Sequence, residues 1–204
     1  MGITERRERE REEVRSKILD AARELFASEG YEHVTMRRIA EAIEYSPTTI
    51  YNHFEDKDDL VRALCDEDFS KLLQVLHDEE PPADPVEWIR RLGRAYARFG
   101  LELPTYYRFM FMTPNKSEEL EPMTACSSSF AILKQAVARA FETGQFRRGD
   151  VNTVAQVLWA SIHGAVALLI TLRPEHWPEG PAARDLVDQT IENGIRGFLA
   201  PRRS

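Results

Sequence analysis

The chain has little of what catalytic and secreted proteins are usually built on. Its 204 residues include two cysteines, Cys65 and Cys126, at no metal-like spacing. That argues against a disulfide framework and for a reducing compartment, the cytoplasm. His33, His53, His77 and His176 show no zinc-ligand spacing, and the sequence has no H-E-x-x-H. It also has no G-x-G-x-x-G, no Walker loop and no G-x-S-x-G. Carboxylates are plentiful, but none lies in an apolar run where burial would raise it into the range of a general acid. No catalytic residue, no metal and no cofactor is therefore expected.

Cations are scarce as well. Lys and Arg number 27 against 34 Asp and Glu, a net charge of −7. Residues 1–60 alone carry ten Lys and Arg against fifteen Asp and Glu. A binder of nucleic acid driven by charge alone is excluded. DNA contact would have to rest on a local basic surface (Arg37, Arg38, Lys57, the N-terminal arginines) with helix N-termini and neutral donors. Met1 to Arg15 is mostly charged and has no apolar core, so no signal peptide is expected. The run RREREREEVR alternates in sign and reads as a solvated helix start, with an arm toward DNA phosphates as the alternative. Strand-like alternation, internal repeats and low-complexity tracts are missing.

What is present is helical periodicity from end to end: an all-α chain of about nine helices. The stretch TMRRIAEAIEYSPTTIYNHFEDK, residues 35–57, organises the rest. Met36, Ile39, Ala40 and Ile43 give a first short helix its apolar side, with Thr35 as N-cap. Glu44-Tyr45 carries the turn. Ser46 caps a second helix, and Pro47 occupies the first helical position, where its missing N–H costs nothing. Ile50 and Phe54 pack inward, which leaves Thr48, Thr49, Tyr51, Asn52 and His53 outward or sideways. Hydroxyls, an amide, an imidazole and a phenol suit phosphates and base edges better than they suit a solvated helix. Lys57, opening the next helix, is placed to grip a phosphate with the backbone N–H groups there. The pattern is that of a helix-turn-helix, with an αα-hairpin of polar outer face as the alternative.

The N-terminal segment resembles the TetR family of transcriptional regulators. The likeness runs through Ile18, Ala21, Ala22, Leu25 and Phe26, then Gly30-Tyr31, Thr35, Ile39 and Ala40, and finally Thr49-Ile50-Tyr51-Asn52-His53-Phe54 with Lys57 and Leu60. Ser46-Pro47-Thr48 departs from the family pattern, which bears on which bases are read. The resemblance implies a DNA-binding domain over residues 1–56 and an effector-binding and dimerisation domain over 57–204. It also implies a homodimer formed by the last two long helices, and a repressor on a palindromic operator. The DNA-contacting set is then Thr35, Arg37, Ser46, Pro47, Thr48, Thr49, Tyr51, Asn52, His53 and Lys57. A helical interaction protein whose polar helix binds another protein is the rival reading.

Downstream, a long fourth helix from Lys57 to Asp78 joins the head to the remainder, and Pro81, Pro82 and Pro85 break it from a fifth. Pro104 and Pro114 bracket the aromatic segment TYYRFMFMT. Further helices are expected over Glu121 to Gly144 and through Leu172, then a Pro174 to Pro181 loop and a last helix ending near Leu199. Val157 to Leu172 is apolar save Ser161, His163 and Thr171, yet is shorter than the roughly twenty residues a bilayer needs. No membrane partner is expected. One face (Val154, Leu158, Ile162, Ala165, Leu169) suits the domain; the other (Ala155, Trp159, Val166, Ile170) suits a dimer partner, joined by Val187, Ile191, Gly194, Ile195 and Phe198. Methionine-rich, ring-rich composition suggests an apolar effector pocket lined by Phe69, Leu73, Trp88, Tyr96 and Phe99, with Phe109, Met110, Phe130, Trp159 and His163. For each of these residues a plain core role, including a satisfied core histidine at His163, is the alternative. The segment RFMFM with Trp159 and His163-Gly164 looks like the effector domain of one TetR subgroup. The effector expected is small and hydrophobic or amphipathic.

Overall fold

The computed structural model describes residues 2–113, 124–147, 149–172 and 183–201. The Pro174 to Pro181 loop with His176, the 121–123 helix start with Pro122, and Pro114 lie outside them. Among the described residues there are nine α-helices, one 3₁₀ turn and no β-strand. The all-α expectation therefore holds. The chain divides into two compact units, Met1–Phe69 with Thr105–Met123, and Ser70–Pro104 with Thr124–Ser204.

In the first unit α1 spans Ile3–Glu29 and stops at Gly30. That glycine has φ 82 and ψ 156, a region open to glycine alone. A 3₁₀ turn over Tyr31–His33 leads to α2, Met36–Ala42, and α3, Pro47–Tyr51. The first part of α4, Lys57–His77, and α6, Pro104–Met112, complete the unit. Ile18, Ala22, Phe26, Ile39, Ile50 and Leu60 form its core. Phe109 of α6 is fully buried and stacks on Phe26 of α1 at 5.9 Å. Phe69 of α4 meets Phe111 edge-on at 5.6 Å.

The second unit is built from α5 (Pro85–Glu102), α7 (Thr124–Glu142), α8 (Val151–Thr171) and α9 (Ala183–Arg196). Asp84 caps α5 through Val86 N, and Asp150 caps α8 through Thr153 N. These carboxylates answer N–H groups that the first helical turn leaves without partners. α8 packs on α9, α5 and α7.

Two expectations are corrected here. The α9 stripe Val187, Ile191, Ile195 is buried inside the unit. The position of a Cβ on Gly93 would lie 3.0 Å from Ile191, and one on Gly194 3.1 Å from Leu158. Small residues thus let α5, α8 and α9 approach closely, and the stripe serves that contact. On α8, Ala155 and Val166 are fully buried, while Val157, Trp159 and Leu168 stand out at 43%, 36% and 47% exposure. The length argument also changes: α8 has 21 residues, enough by length and composition to cross a membrane, with 33% of its most apolar window buried.

Candidate functional site

The first unit presents α3 on a short, firmly held frame. Thr35 Oγ1 accepts from Arg38 N at 3.1 Å, and Ser46 Oγ accepts from Thr49 N at 3.2 Å. Between the helices Glu44 has φ 60 and turns the chain. Ile50 and Phe54 seal α3 against the core. Pro47, Thr48, Tyr51 and Asn52 are exposed, Tyr51 to 55%, and Thr49 and His53 are half-buried.

The ten residues expected to meet DNA thus fall into groups. Thr48, Tyr51 and Asn52 project from α3. Thr35 and Ser46 cap helices with their side chains, and the Thr49 hydroxyl lies 3.0 Å from that of Ser46. Arg37, largely exposed, donates to Glu41 at 3.1 Å. Lys57 differs from expectation. Its ammonium donates to the Tyr31 carbonyl and sits 3.8 Å over the Tyr31 ring. Desolvation lowers its pKa, with Glu32 and Asp58 opposing. The backbone at the start of α4 is answered as well, since Asp59 N donates to Asp56 Oδ1 at 2.7 Å. Tyr31 gives its hydroxyl to Asp58 at 2.6 Å. Burial, then that bond, pushes the phenol up to about 12.

Sequence reasoning counted the N-terminal arginines in a local basic surface for DNA but singled out none of them. The Arg15 guanidinium lies 5.3 Å from the Phe54 ring centre. His53 is held below its usual pKa by desolvation, then by the charges of Arg11 and Arg15, with Glu12 opposing. Their four-residue spacing, in register with Ile18 and Ala22, is the signal that would have found them.

The residues expected to line an effector pocket divide between the units. Phe69, Phe109 and Met110 belong to the first and are buried there. In the second, Tyr96, Trp159, His163 and Phe130 come together. Trp159 Nε1 donates to Tyr96 Oη at 3.2 Å, and that hydroxyl lies 3.1 Å from His163 Nδ1. A neutral imidazole protonated at Nε2 satisfies both contacts, and burial lowers the His163 pKa accordingly. Phe130 meets the Trp159 ring edge-on at 6.1 Å, and Lys134 lies 5.9 Å from the Phe130 ring centre. Trp88 sits two turns before Tyr96 on α5, about 12 Å away along the axis. Its ring lies 5.5 Å from the Arg139 guanidinium, and its buried Nε1 has no hydrogen-bond partner among the described residues. Phe99 is buried and Leu73 half-buried in the same unit. No group of metal-binding side chains occurs among the described residues.

Comparison with known proteins finds matches in both halves of the chain. Residues 18–64 fit the family model of bacterial regulatory proteins of the tetR family, and residues 89–193 fit the tetracyclin repressor-like C-terminal domain. The transcriptional repressor AcnR of Corynebacterium glutamicum is 42% identical over 166 residues, covering 77% of this chain and 82% of that protein. An HTH-type transcriptional repressor of Mycobacterium tuberculosis is 36% identical over 131 residues, 64% of this chain and 69% of its own. A TetR family regulator from Marinobacter aquaeolei shares the fold at a TM-score of 0.77 and 20% identity, covering 97% of this chain and all of that one (100%). These relatives are transcriptional regulators and not enzymes, and the chain itself belongs to the TetR family of DNA-binding transcriptional regulators.

Proposed function

We propose that the chain is a homodimeric repressor that reads a near-palindromic operator and is released by a small hydrophobic or amphipathic effector. The observation that carries this is the outer face of α3, where Thr48, Tyr51 and Asn52 stand exposed on a helix fixed by Ser46 and by the buried Ile50 and Phe54. Thr48 and Arg37 serve base edges; Tyr51, Thr49, His53 and a remaining donor of Lys57 serve phosphates. Dimerisation uses the exposed stripe of α8, where Val157, Ala160 and Leu168 flank Gly164, whose missing Cβ would meet nothing within 4 Å. An effector is held beside Tyr96, Trp159 and His163 in the second unit, with the protein in the cytoplasm and away from membranes. Two copies related by a two-fold axis place their α3 helices one turn of DNA apart, roughly 34–36 Å or a multiple.

Selection of bound duplexes from a random-sequence pool tests the reading. The expected result is one enriched near-palindrome, bound with an affinity that falls steeply with salt. Failure to enrich any sequence, or binding indifferent to salt, overturns it.

A further inference from the structure

The first unit is acidic, and most of its cations already hold a partner within the unit. Arg23 is 2% exposed and paired with Asp68. Arg37 is bound to Glu41, Arg38 to Glu29, Arg6 to Glu10, and Lys57 to the Tyr31 carbonyl. Among the described residues, Arg7, Arg11, Arg15 and Lys17 have no ion pair with a carboxylate, and all four lie on α1.

Their arrangement is specific. Successive helical residues advance about 100°, so Arg7, Arg11 and Arg15 fall within about 40° of the midline between Ile18 and Ala22. They continue, toward the N-terminus, the same face that packs on the helix-turn-helix. Glu5, Glu10, Glu12 and Glu13 fall on the other sides, Glu8 borders the row about 20° beyond Arg15 in projection, and residues 4–13 are exposed throughout. The row ends where Arg15 stands over Phe54, three residues past the end of α3, and Arg7 to Arg15 spans about 12 Å. A continuous basic row next to the reading helix is what a second line of phosphate contacts requires.

We infer that the N-terminal extension of α1 is a second DNA-contacting element, in which Arg7, Arg11 and Arg15 bind backbone phosphates flanking the bases read by α3. The inference rests on the DNA-reading role of α3 proposed above. It assigns the extension to affinity and salt dependence and leaves base choice to α2 and α3.

The test uses the full chain and the duplex that the wild-type protein selects from a random pool. Gln replaces Arg with little loss of helix propensity, so Arg7→Gln/Arg11→Gln changes charge and not the helix. Its expected effect is about tenfold weaker binding per arginine, the size of a charge-assisted hydrogen bond. The slope of log affinity against log salt should become shallower by about 1.8, two phosphate contacts' worth. Arg6→Gln/Arg9→Gln, equal in charge but on the opposite face, should leave both unchanged, and Arg7→Lys/Arg11→Lys should restore most of the slope. Wild-type binding with an unchanged slope in Arg7→Gln/Arg11→Gln, or equal losses in both Gln pairs, overturns the inference and leaves the α3 reading standing. A wild-type protein that selects no duplex overturns both.

Discussion

Arg23 and Asp68 form a two-pronged ion pair that solvent does not reach: 2.9 Å and 2.8 Å for the two strongest bonds, with 2% and 0% of their side chains exposed. Asp20 takes a third bond from Arg23 at 2.7 Å, and the Tyr106 ring lies 3.8 Å from the guanidinium. Burial disfavours the charge, but the bonds and charge of Asp68 outweigh it, so Arg23 holds its proton more tightly than usual. The pair pins α1 to α4 within the first unit. Breaking it from one side strands a buried charge, so Arg23→Met should cost about 3–5 kcal/mol in chemical denaturation. Arg23→Met/Asp68→Leu should regain most of that loss. A double variant as unstable as the single would show that the pair itself, and not the stranded carboxylate, sets the cost.

Tyr51 offers a cleaner probe of DNA reading than Lys57. Tyr51 is 55% exposed on α3. Tyr51→Ala should weaken operator binding by about 1–3 kcal/mol without lowering the melting temperature. Thr48→Ala should instead change which sequences are preferred. Lys57→Ala removes the tie to Tyr31 as well, so it should lower stability along with affinity. Comparing thermal melts with gel-shift titrations separates the two effects.

The faces of α8 and α9 mark where the sequence stops being readable. Periodicity shows that Val187, Ile191 and Ile195 share a side, because spacing alone sets that. It does not show whether a helix of the same chain or of a second copy covers the side. In the structure α5 covers it, through the gap left by Gly93. The same limit applies to Arg23 and Asp68, 45 residues apart, and to Phe109 on Phe26. Caps and turns were legible at Thr35 and Ser46, since they depend on neighbours in sequence. A test of the dimer therefore belongs on the exposed side of α8. Leu168→Arg should give a folded monomer that loses operator binding, seen by sedimentation and gel shift. Ile191→Arg, buried at 6% exposure, should unfold the second unit instead.

His163 gives the second unit a pH dependence of definite sign. Desolvation holds its folded pKa below the ordinary value of about 6.5. Between those two values the unfolded chain binds more protons, so stability rises with pH across that window. The contribution is complete above about 6.5 and is lost as pH falls through the folded value. His53 shifts in the same direction, so the His163 share is read by difference. Denaturation midpoints from pH 7.5 to 5 should fall less steeply for His163→Gln than for wild type. Parallel slopes would mean that His163 titrates alike folded and unfolded.

Effector response should be read at Trp159, whose indole joins the Tyr96 hydroxyl to the Phe130 ring and stands 5.5 Å from the His163 ring. A ligand seated there exchanges contacts with all four side chains, so it must alter the fluorescence of Trp159, and Trp159→Phe should remove most of that change. α4 is one helix from Lys57 to His77, and the chain passes through it from the first unit into the second. A bound effector can shift DNA affinity only by its differential affinity for the two conformations. A hundredfold loss of operator affinity needs about 2.7 kcal/mol of coupling, within the usual range. Tyr96→Phe deletes the hydroxyl that both Trp159 and His163 address and leaves the ring buried. It should reduce the response of a polar-headed amphipathic ligand more than that of a hydrocarbon, with operator affinity in the absence of ligand unchanged. The measurement is operator affinity with and without each member of a panel of apolar and amphipathic compounds, alongside Trp159 emission. If no compound moves either signal, the Tyr96, Trp159 and His163 group is a packed polar contact in the core and the regulator senses nothing there.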